Sequence, residues 1–323
     1  MITIAAFYRF VPLSDVPDLQ GTLADQLNDH GLRGTILVAP EGINGTIAGD
    51  PAAIERFFRE LCTDPHFSGM EIRRSVADAV PFLRAKVKSK REIVTLGEDV
   101  DAQHGGGTRV APEAWNALIE QPDVLLIDTR NDYEVAVGTF EGATNPGTGS
   151  FRDFPDWAQS HLAGREQTPI AMFCTGGIRC EKSTAYLRAQ GFENVYQLDG
   201  GILNYLATVD PDESRWQGEC FVFDTRVSVG ADLRPGGYDQ CHACRQPISA
   251  DDKADPCYVP GVSCPHCAQS TSPVQKARFA ERQQQMELAE HRGEAHMGTD
   301  ATETASRNRA SKDARRDVPR GGR

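Results

Sequence analysis

A short apolar segment that ends in a cysteine and is followed at once by two glycines most constrains what this chain can form. Residues 171–173 are apolar and predict a buried strand, which ends at Cys174. The run after Gly177 favours a helix, which Gly191 ends. A thiol in this place faces the N-terminal end of a helix, where partial positive charge and free N–H groups favour the thiolate. Cys174 is therefore the candidate nucleophile, although a lone cysteine at the end of a strand more often only packs.

The residues after Cys174 are predicted to form a loop that turns its backbone N–H groups toward the sulfur, because glycine tolerates positive φ. This loop comprises Thr175, Gly176, Gly177 and Ile178. Arg179 is either a cation that faces the substrate or a purely structural donor. Cys180 is interpreted as a small side chain at the helix N-terminus. The alternative is a resolving thiol that forms a disulfide with Cys174.

Three further segments surround the cysteine loop in the sequence. They are an apolar strand with an Asp-x-Arg ending at 124–130, a Gly-rich segment ending in Asn-Pro at 138–146, and a Leu-x-Gly-Gly segment at 195–202. With the Cys-x-x-Gly-x-Arg loop they resemble a rhodanese domain. The resemblance implies a parallel sheet flanked by helices and a cysteine that carries a persulfide held by loop N–H groups. Asp128 and Arg130 are then predicted to support the loop as structural residues.

The first 97 residues alternate between strand and helix patterns that predict a ferredoxin-like α+β domain. The predicted helices are one that Ser14 caps and Gly31 ends, and one that Pro51 opens. The predicted strands lie at 2–8, 34–39, 43–48, 70–74 and 85–96. Residues 98–117, with three consecutive glycines, are predicted as a linker. The other predicted units are a rhodanese domain at 118–212, a Cys-rich segment at 213–272, and a polar helix at 276–291 with a basic tail inside 273–323.

A group of basic residues closes the first domain. It comprises Lys86, Lys88, Lys90 and Arg91. Alternate residues of a strand share one face, so the three lysines are predicted to lie on one side. They either guard the solvated edge of a sheet or contact phosphates, and we favour phosphate contact. The tail beyond Gly298 is also rich in arginine and is predicted to be disordered.

Two Cys-x-x-Cys pairs in the C-terminal part have the spacing of a zinc ribbon. The four cysteines are Cys241, Cys244, Cys264 and Cys267, with 19 residues between the pairs. Four thiolates suit tetrahedral zinc, which would supply stability to a segment with few apolar residues. A redox pair or a disulfide patch is the alternative. Cys257, His242 and His266 are predicted to be bystanders.

Composition limits the possible classes of function. The formal net charge of −12 argues against a protein that coats nucleic acid over its whole surface. The first residues do not form a signal peptide, and no apolar run approaches the length of a membrane span. Nine cysteines, with four in metal-ligand spacing, are typical of a reducing cytoplasm. We therefore expect a cytoplasmic protein that contacts no membrane and needs no obligate protein partner.

The whole chain up to the paired cysteines resembles the bacterial tRNA uridine-34 hydroxylase family. The motifs that carry the resemblance are the Pro-Glu-Gly-Ile-Asn-Gly-Thr segment at 40–46, the segments at 126–134 and 150–155, the cysteine loop at 173–182, and the Gln-Gly-Glu-Cys-Phe-Val-Phe-Asp segment at 217–224. The resemblance implies oxygen-dependent conversion of the wobble uridine of tRNA to 5-hydroxyuridine, with Cys174 as the reactive residue, O2 as co-substrate and tRNA as partner.

The sequence lacks the common motifs for binding iron, nucleotides or flavins. No His-x-Asp/Glu pair of a facial iron triad, no dinucleotide fingerprint and no other evident nucleotide or flavin motif occurs. Two alternative functions stay open. A rhodanese domain alone favours a persulfide sulfurtransferase, and a scaffold that only binds other proteins would fit an inactive loop, which Cys174 argues against.

Overall fold

The protein is described by a computed structural model that covers residues 1–292. The N-terminal domain follows the order strand, helix, strand, strand, helix, strand, with one further strand. Its elements are β1 (Ile2–Phe10), α1 (Val16–Asp29), β2 (Arg33–Ala39), β3 (Gly42–Gly49), α2 (Pro51–Leu61), β4 (Ile72–Ala77) and β5 (Ala85–Ser89). The sheet order is β4-β1-β3-β2-β5, and only the β2–β5 pair is parallel.

One apolar core joins both helices to this sheet. Leu23 and Leu27 stand one turn apart in α1 and are completely buried. Phe7 of β1 meets Phe58 of α2 edge-on, with ring centroids 5.1 Å apart. The predicted ferredoxin-like architecture of this domain is confirmed, because the alternating and helical apolar patterns face the same core.

Several boundaries in this domain differ from the sequence prediction. Asp15, rather than Ser14, caps α1. The fourth strand begins two residues later than predicted, at Ile72, and runs to Ala77. The last strand ends at Ser89 instead of continuing to residue 96.

Carboxylates that accept backbone N–H groups explain why the last strand ends early. The Ile93 N–H donates to Glu41 (2.6 Å), and the Leu96 N–H donates to Glu92 (2.9 Å), so the chain turns away from the sheet. Leu96 then packs into the core of the next domain.

The second domain is a four-stranded parallel sheet covered on both faces. Its elements are β6 (Thr108–Val110), α3 (Pro112–Ile119), β7 (Leu125–Asp128), α4 (Asp132–Val135), β8 (Gly138–Phe140), α5 (Phe154–Leu162), β9 (Ile170–Phe173), α6 (Ile178–Ala189), β10 (Val195–Leu198) and α7 (Gly201–Thr208). The sheet order is β6-β10-β9-β7. Alternate residues of the central strand β9 face two separate cores, which is why all four of its residues are buried. The predicted parallel sheet is confirmed.

The segment predicted as a flexible linker contributes an element to this sheet. Residues 108–110 form β6, which pairs in parallel with β10, and α3 begins at Pro112. Gly107 lies so close to the carbonyl of Val195 that a Cβ would stand 2.7 Å from it. Close approach to the sheet therefore accounts for part of the glycine content that suggested a linker.

The C-terminal part consists of small antiparallel pairs and two helices. Its elements are β11 (Trp216–Gly218), β12 (Cys220–Phe221), β13 (Ser228–Val229), β14 (Asp239–Gln240), β15 (Pro247–Ile248), α8 (Ala250–Ala254) and α9 (Pro273–His291). β11 pairs with β8 of the rhodanese domain, so the chain continues to pack on that domain beyond residue 212.

Helix α9 begins three residues before the predicted Lys276, with a capping box at Ser272. The predicted basic tail lies outside the described residues. None of the helices within residues 1–292 combines the length and apolar character needed to cross a bilayer.

Candidate active site at Cys174

Cys174 lies directly after β9, at the point where the chain turns into α6. Its side chain is buried, with a relative exposure of 1%. The Gly177 N–H donates to Sγ of Cys174 at 3.1 Å. Gly177 is the N-cap of α6 and has a φ of 96°, a left-handed conformation that favours glycine. The loop therefore turns at least one backbone donor toward the sulfur.

The surroundings of Cys174 favour its ionised form. Burial opposes ionisation, but a hydrogen bond from the Cys180 thiol, the positive charge of Arg179 and the N–H groups of Cys180 and Arg179 outweigh it. Together they lower the pKa of Cys174 to about 6. The lowered pKa favours the thiolate, which is the nucleophilic form of cysteine.

Cys180 is completely buried and lies in the first turn of α6, two residues after the helix begins. Gly177, not Cys180, is the N-cap of α6. The prediction that Cys180 is the capping side chain of this helix is therefore wrong. Burial and the neighbouring Cys174 thiolate both raise the pKa of Cys180. These effects favour the protonated thiol of Cys180 beside the Cys174 sulfur.

Arg179 is held by a carboxylate of the protein. Its two terminal nitrogens contact the two oxygens of Glu134 at 2.8 and 2.7 Å, and both residues are buried. Burial opposes the charge of Arg179, but the paired Glu134 and the Cys174 thiolate raise its pKa. This bidentate pair fixes a positive charge near the Cys174 sulfur.

Asp128 and Arg130 lie at the end of β7, beside β9, and both are completely buried. Arg130 contacts Asp128 at 2.6 Å and donates to the carbonyl of Gly138 at 2.6 Å. Between them, Thr129 donates its backbone N–H and its hydroxyl to the carbonyl of Phe173, at 3.1 and 2.9 Å. The structure thus places these residues where they hold the strand that ends at Cys174.

The rest of the loop is held against α7. The Ile202 N–H donates to the carbonyl of Cys174 (2.9 Å), and the Leu203 N–H donates to that of Thr175 (3.1 Å). A Cβ at Gly201 would stand 2.4 Å from the Cys174 carbonyl oxygen, so the Leu-x-Gly-Gly segment permits this close contact. Gly176 has open space beside it, and the buried hydroxyl of Thr175 has no hydrogen-bond partner within the described residues.

Sequence reasoning missed the residues of the N-terminal domain and of β6 that contact α6. The Tyr8 hydroxyl donates to Glu181 at 2.9 Å, and Arg109 contacts the same oxygen at 2.7 Å. Lys182, with 1% of its side chain exposed, contacts Glu41 at 2.7 Å and Glu92 at 2.6 Å. The adjacent Glu181 and Lys182 in the loop motif were the available signal, but a single sequence does not show partners so distant in the chain.

The predicted basic group lies on an edge of the N-terminal sheet. Lys86 and Lys88 are exposed on β5, while Lys90 and Arg91 are exposed just beyond its end. Burial, followed by the charges of Arg84, Lys88 and Arg245, lowers the pKa of Lys86. Arg245 belongs to the Cys-rich segment, so the positive surface extends from one domain to another.

The four predicted metal ligands meet at one point. The sulfur atoms of Cys241, Cys244, Cys264 and Cys267 all lie within 4.8 Å of one another. None of the nine cysteines is in a disulfide. These sulfurs form most of a small core with Ile248, so their approach is built into the fold of the segment. Four sulfur donors at this separation could hold a metal ion and fit tetrahedral zinc.

The spare donors of this segment lie outside the sulfur group. His266 contacts Asp252 at 3.4 Å, and the backbone N–H of Cys257 donates to Asp255 at 2.8 Å. His242 is not among the residues that could ligate the same ion within the described part of the chain.

Comparison with known proteins identifies two domains in this chain. Residues 2–93 match the UPF0176 acylphosphatase like domain, and residues 111–208 match the Rhodanese-like domain. The combination is the domain architecture of the UPF0176 family.

Solved rhodanese-like structures resemble parts of this chain. A rhodanese-like domain from Anabaena sp. is 22% identical, covering 34% of this chain and 78% of its own, with a TM-score of 0.29. A rhodanese-like domain protein from Staphylococcus aureus is 24% identical, covering 30% of this chain and 90% of its own, with a TM-score of 0.26. A Rhodopseudomonas palustris protein described as a possible tyrosine phosphatase is 19% identical, covering 34% and 86%, with a TM-score of 0.29.

Proposed function

We propose that this protein hydroxylates uridine 34 of tRNA at C5, forming 5-hydroxyuridine, with Cys174 as the nucleophile. The observation that carries the proposal is the buried Cys174 sulfur, which accepts the Gly177 N–H at 3.1 Å at the start of α6. The same end of α6 contacts the N-terminal domain through Glu181 and Lys182. Its support is the pairing of a UPF0176 domain with a rhodanese domain, together with the motifs that resemble the tRNA hydroxylase family.

The thiolate supplies the step that uracil needs before it can react with O2. Addition of the Cys174 sulfur to C6 of the base makes C5 electron-rich. C5 then takes one oxygen atom from O2, its proton leaves, and expulsion of the thiolate restores the C5–C6 double bond. The second oxygen atom becomes water, which consumes two electrons and two protons, so the reaction also requires a reductant, for which we propose a small thiol.

The rhodanese-type alternative is transfer of sulfur from a Cys174 persulfide to an acceptor. The N–H of Gly177, which donates to Sγ of Cys174, supports this alternative. Backbone N–H groups that point at the sulfur also stabilise a persulfide anion. Mass spectrometry of nucleosides from a deletion strain separates the two functions. Loss of 5-hydroxyuridine derivatives with thiolated uridine unchanged supports hydroxylation, and the reverse result supports sulfur transfer.

The Cys174→Ala variant tests both functions at the sulfur atom. We expect loss of at least about 1000-fold in product formation, since the nucleophile itself is removed, with an unchanged melting curve at pH 6. Cys62→Ala is the matched control, because Cys62 follows α2 in the N-terminal domain and is expected to leave activity intact. Full activity of Cys174→Ala would exclude the loop thiol from the reaction.

We propose that tRNA is held by the positive surface of Lys86, Lys88, Lys90, Arg91 and Arg245. Like charges placed close together are unfavourable alone and favourable beside a phosphate backbone. Reversing Lys86 and Lys88 to Glu should weaken tRNA binding and flatten its dependence on salt, measured by titration at several salt concentrations. The same reversal at Lys276, whose ammonium contacts the carbonyl of Ala268, is the control. If the affinity for tRNA and its salt dependence are unchanged, tRNA does not bind at this surface.

A further inference from the structure

Phe223 is a large apolar side chain that the fold leaves open to solvent beside the active-site arginine. Its relative exposure is 62%, although the neighbouring Phe221 and Val222 are buried. The Arg179 guanidinium lies over its ring, 5.7 Å from the centroid. Arg179 is also the cation that stabilises the Cys174 thiolate. One residue therefore links this exposed ring to the reactive sulfur.

The turn that carries Phe223 is rigid. Val222 donates to the carbonyl of Val227 at 2.8 Å, and Arg226 forms a bidentate pair with Asp224. The Thr225 N–H donates to the carbonyl of Pro81 in the N-terminal domain at 3.0 Å. The ring of Phe223 is further held edge-on by Phe221, with centroids 5.1 Å apart. The exposed ring is thus kept in one place rather than left on a loose loop.

Backbone strain occurs in the same turn. Val227 has a φ of 63°, a left-handed conformation that is costly for a β-branched residue. Strain of this kind persists where the surrounding structure enforces it, and it is concentrated at ligand-binding and active sites. The left-handed backbone conformation of Val227 closes the tight turn that carries Phe223.

A neighbouring cleft offers a less suitable place for a nucleotide. It has a volume of about 380 Å³ and is lined by Tyr133, Tyr238 and His266, but also by Asp132 and Asp252. The two carboxylates would repel a phosphate. Phe223, by contrast, offers an exposed aromatic ring on which a base can stack.

We propose that Phe223 is a stacking platform for a nucleobase of the RNA substrate at the entrance to the Cys174 site. This inference rests on the proposed function, because it names how the uridine or its neighbour is held. Chemistry on a base requires that the base leave its stack, and an aromatic ring replaces part of the lost stacking energy. Phe223 is accordingly a positioning residue.

The test compares Phe223→Leu, which keeps apolar bulk but removes the ring, with Phe223→Tyr, which keeps the ring. The probes are an anticodon stem-loop RNA with uridine at position 34, for the dissociation constant, and the matching tRNA transcript, for kcat and KM. Stacking is worth about 1–3 kcal/mol per base, so Phe223→Leu should raise Kd and KM about 5- to 150-fold. Phe223→Tyr should remain within about twofold of the unchanged protein, because the ring on which the base stacks is kept.

Two further readouts separate stacking from a structural role. The salt dependence of binding should be unchanged in Phe223→Leu, since no charge is lost. The alkylation rate of Cys174 by iodoacetamide should also be unchanged. A shifted alkylation rate with unchanged Kd and KM would mean that the ring acts through Arg179, which would overturn the platform. Val274→Ala, at another exposed apolar residue on α9, is the control for simple loss of apolar surface.

The outcomes for the platform and for the proposed function are distinct. If the unchanged protein forms 5-hydroxyuridine and Phe223→Leu matches it in Kd and KM, the platform is wrong and the function stands. If the unchanged protein binds the RNA but forms no product, the hydroxylase function fails, and the Kd comparison still decides the platform. Absence of any RNA binding overturns both.

Discussion

The Cys174 loop and the cluster of Cys241, Cys244, Cys264 and Cys267 place the same side chain in opposite settings. Cys174 stands among a backbone N–H, a thiol donor and a guanidinium, each of which stabilises one negative sulfur. In the cluster, the sulfurs lie beside one another, and Cys264 Sγ is 3.7 Å from both Cys244 Sγ and Cys267 Sγ. The first setting favours a nucleophile, whereas the second could hold a cation.

The two sites also differ in what surrounds them. Cys174 belongs to an extensive apolar core that includes Met172, Phe154 and Leu187, so the fold there does not depend on its sulfur. The core of the C-terminal cluster consists mainly of its own cysteines with Ile248. Buried cysteine alone therefore does not distinguish a reactive site from a structural one, but the neighbours of the sulfur do.

The largest expected effect comes from removing the cation from the cluster. Structural zinc contributes on the order of 10 kcal/mol of folding free energy in small metal-dependent units. Cys264→Ser should abolish zinc binding, measured by elemental analysis, and should expose residues 239–270 to proteolysis. Activity per folded molecule should fall less than solubility, and Cys241→Ala should behave in the same way.

Cys257→Ser is the matched control, since Cys257 lies outside the sulfur group. If the intact protein contains no zinc, the four clustered cysteines do not form a metal site, and the contrast with Cys174 is wrong.

The second effect is a pH dependence of stability that arises at the Cys174 site. Its folded pKa of about 6 lies below the unfolded value of about 8.5. The stabilisation is therefore fully present above pH 8.5 and is lost as the pH falls through about 6. The difference between the two pKa values corresponds to about 3 kcal/mol in the free energy of unfolding.

Urea unfolding of the original protein and Cys174→Ser between pH 5.5 and 9 measures this difference. The gap in the free energy of unfolding should widen with rising pH. A gap that stays constant across this range would mean that the folded protein does not favour the thiolate.

The smallest effect concerns the thiol that donates to Cys174. Cys180→Ala removes that donor and should raise the midpoint of Cys174 alkylation by about one pH unit, the value of a hydrogen bond to a charged group. Cys180→Ser keeps a donor and should shift the midpoint less. Equal midpoints in all three proteins would show that the N–H groups and Arg179 suffice, and they would also remove the reason to assign Cys180 a role as a resolving thiol.

Local patterns located the loop around Cys174 in the sequence, and the roles predicted for its residues stay predictions. Asp128 and Arg130, predicted as structural supports, form a buried pair beside the strand that ends at Cys174. The partner of Arg179 was not predictable, since Glu134 comes from a separate helix 45 residues away. The strand predicted to reach residue 96 ends at Ser89, because Glu41 and Glu92 accept backbone N–H groups of the residues that follow it. Both carboxylates also contact Lys182 of the second domain.

The amino-acid order alone determined the parts of this protein that depend on neighbours along the chain. A cysteine between an apolar strand and a glycine-capped helix must face the helix N-terminus, and two Cys-x-x-Cys pairs can bring four sulfurs together. The tertiary structure alone decided the features that depend on distant contacts: the Arg179–Glu134 pair, the closure of the N-terminal domain over α6, and the exposure of Phe223. Each of these depends on charges or rings whose separation in space is unrelated to their separation in sequence.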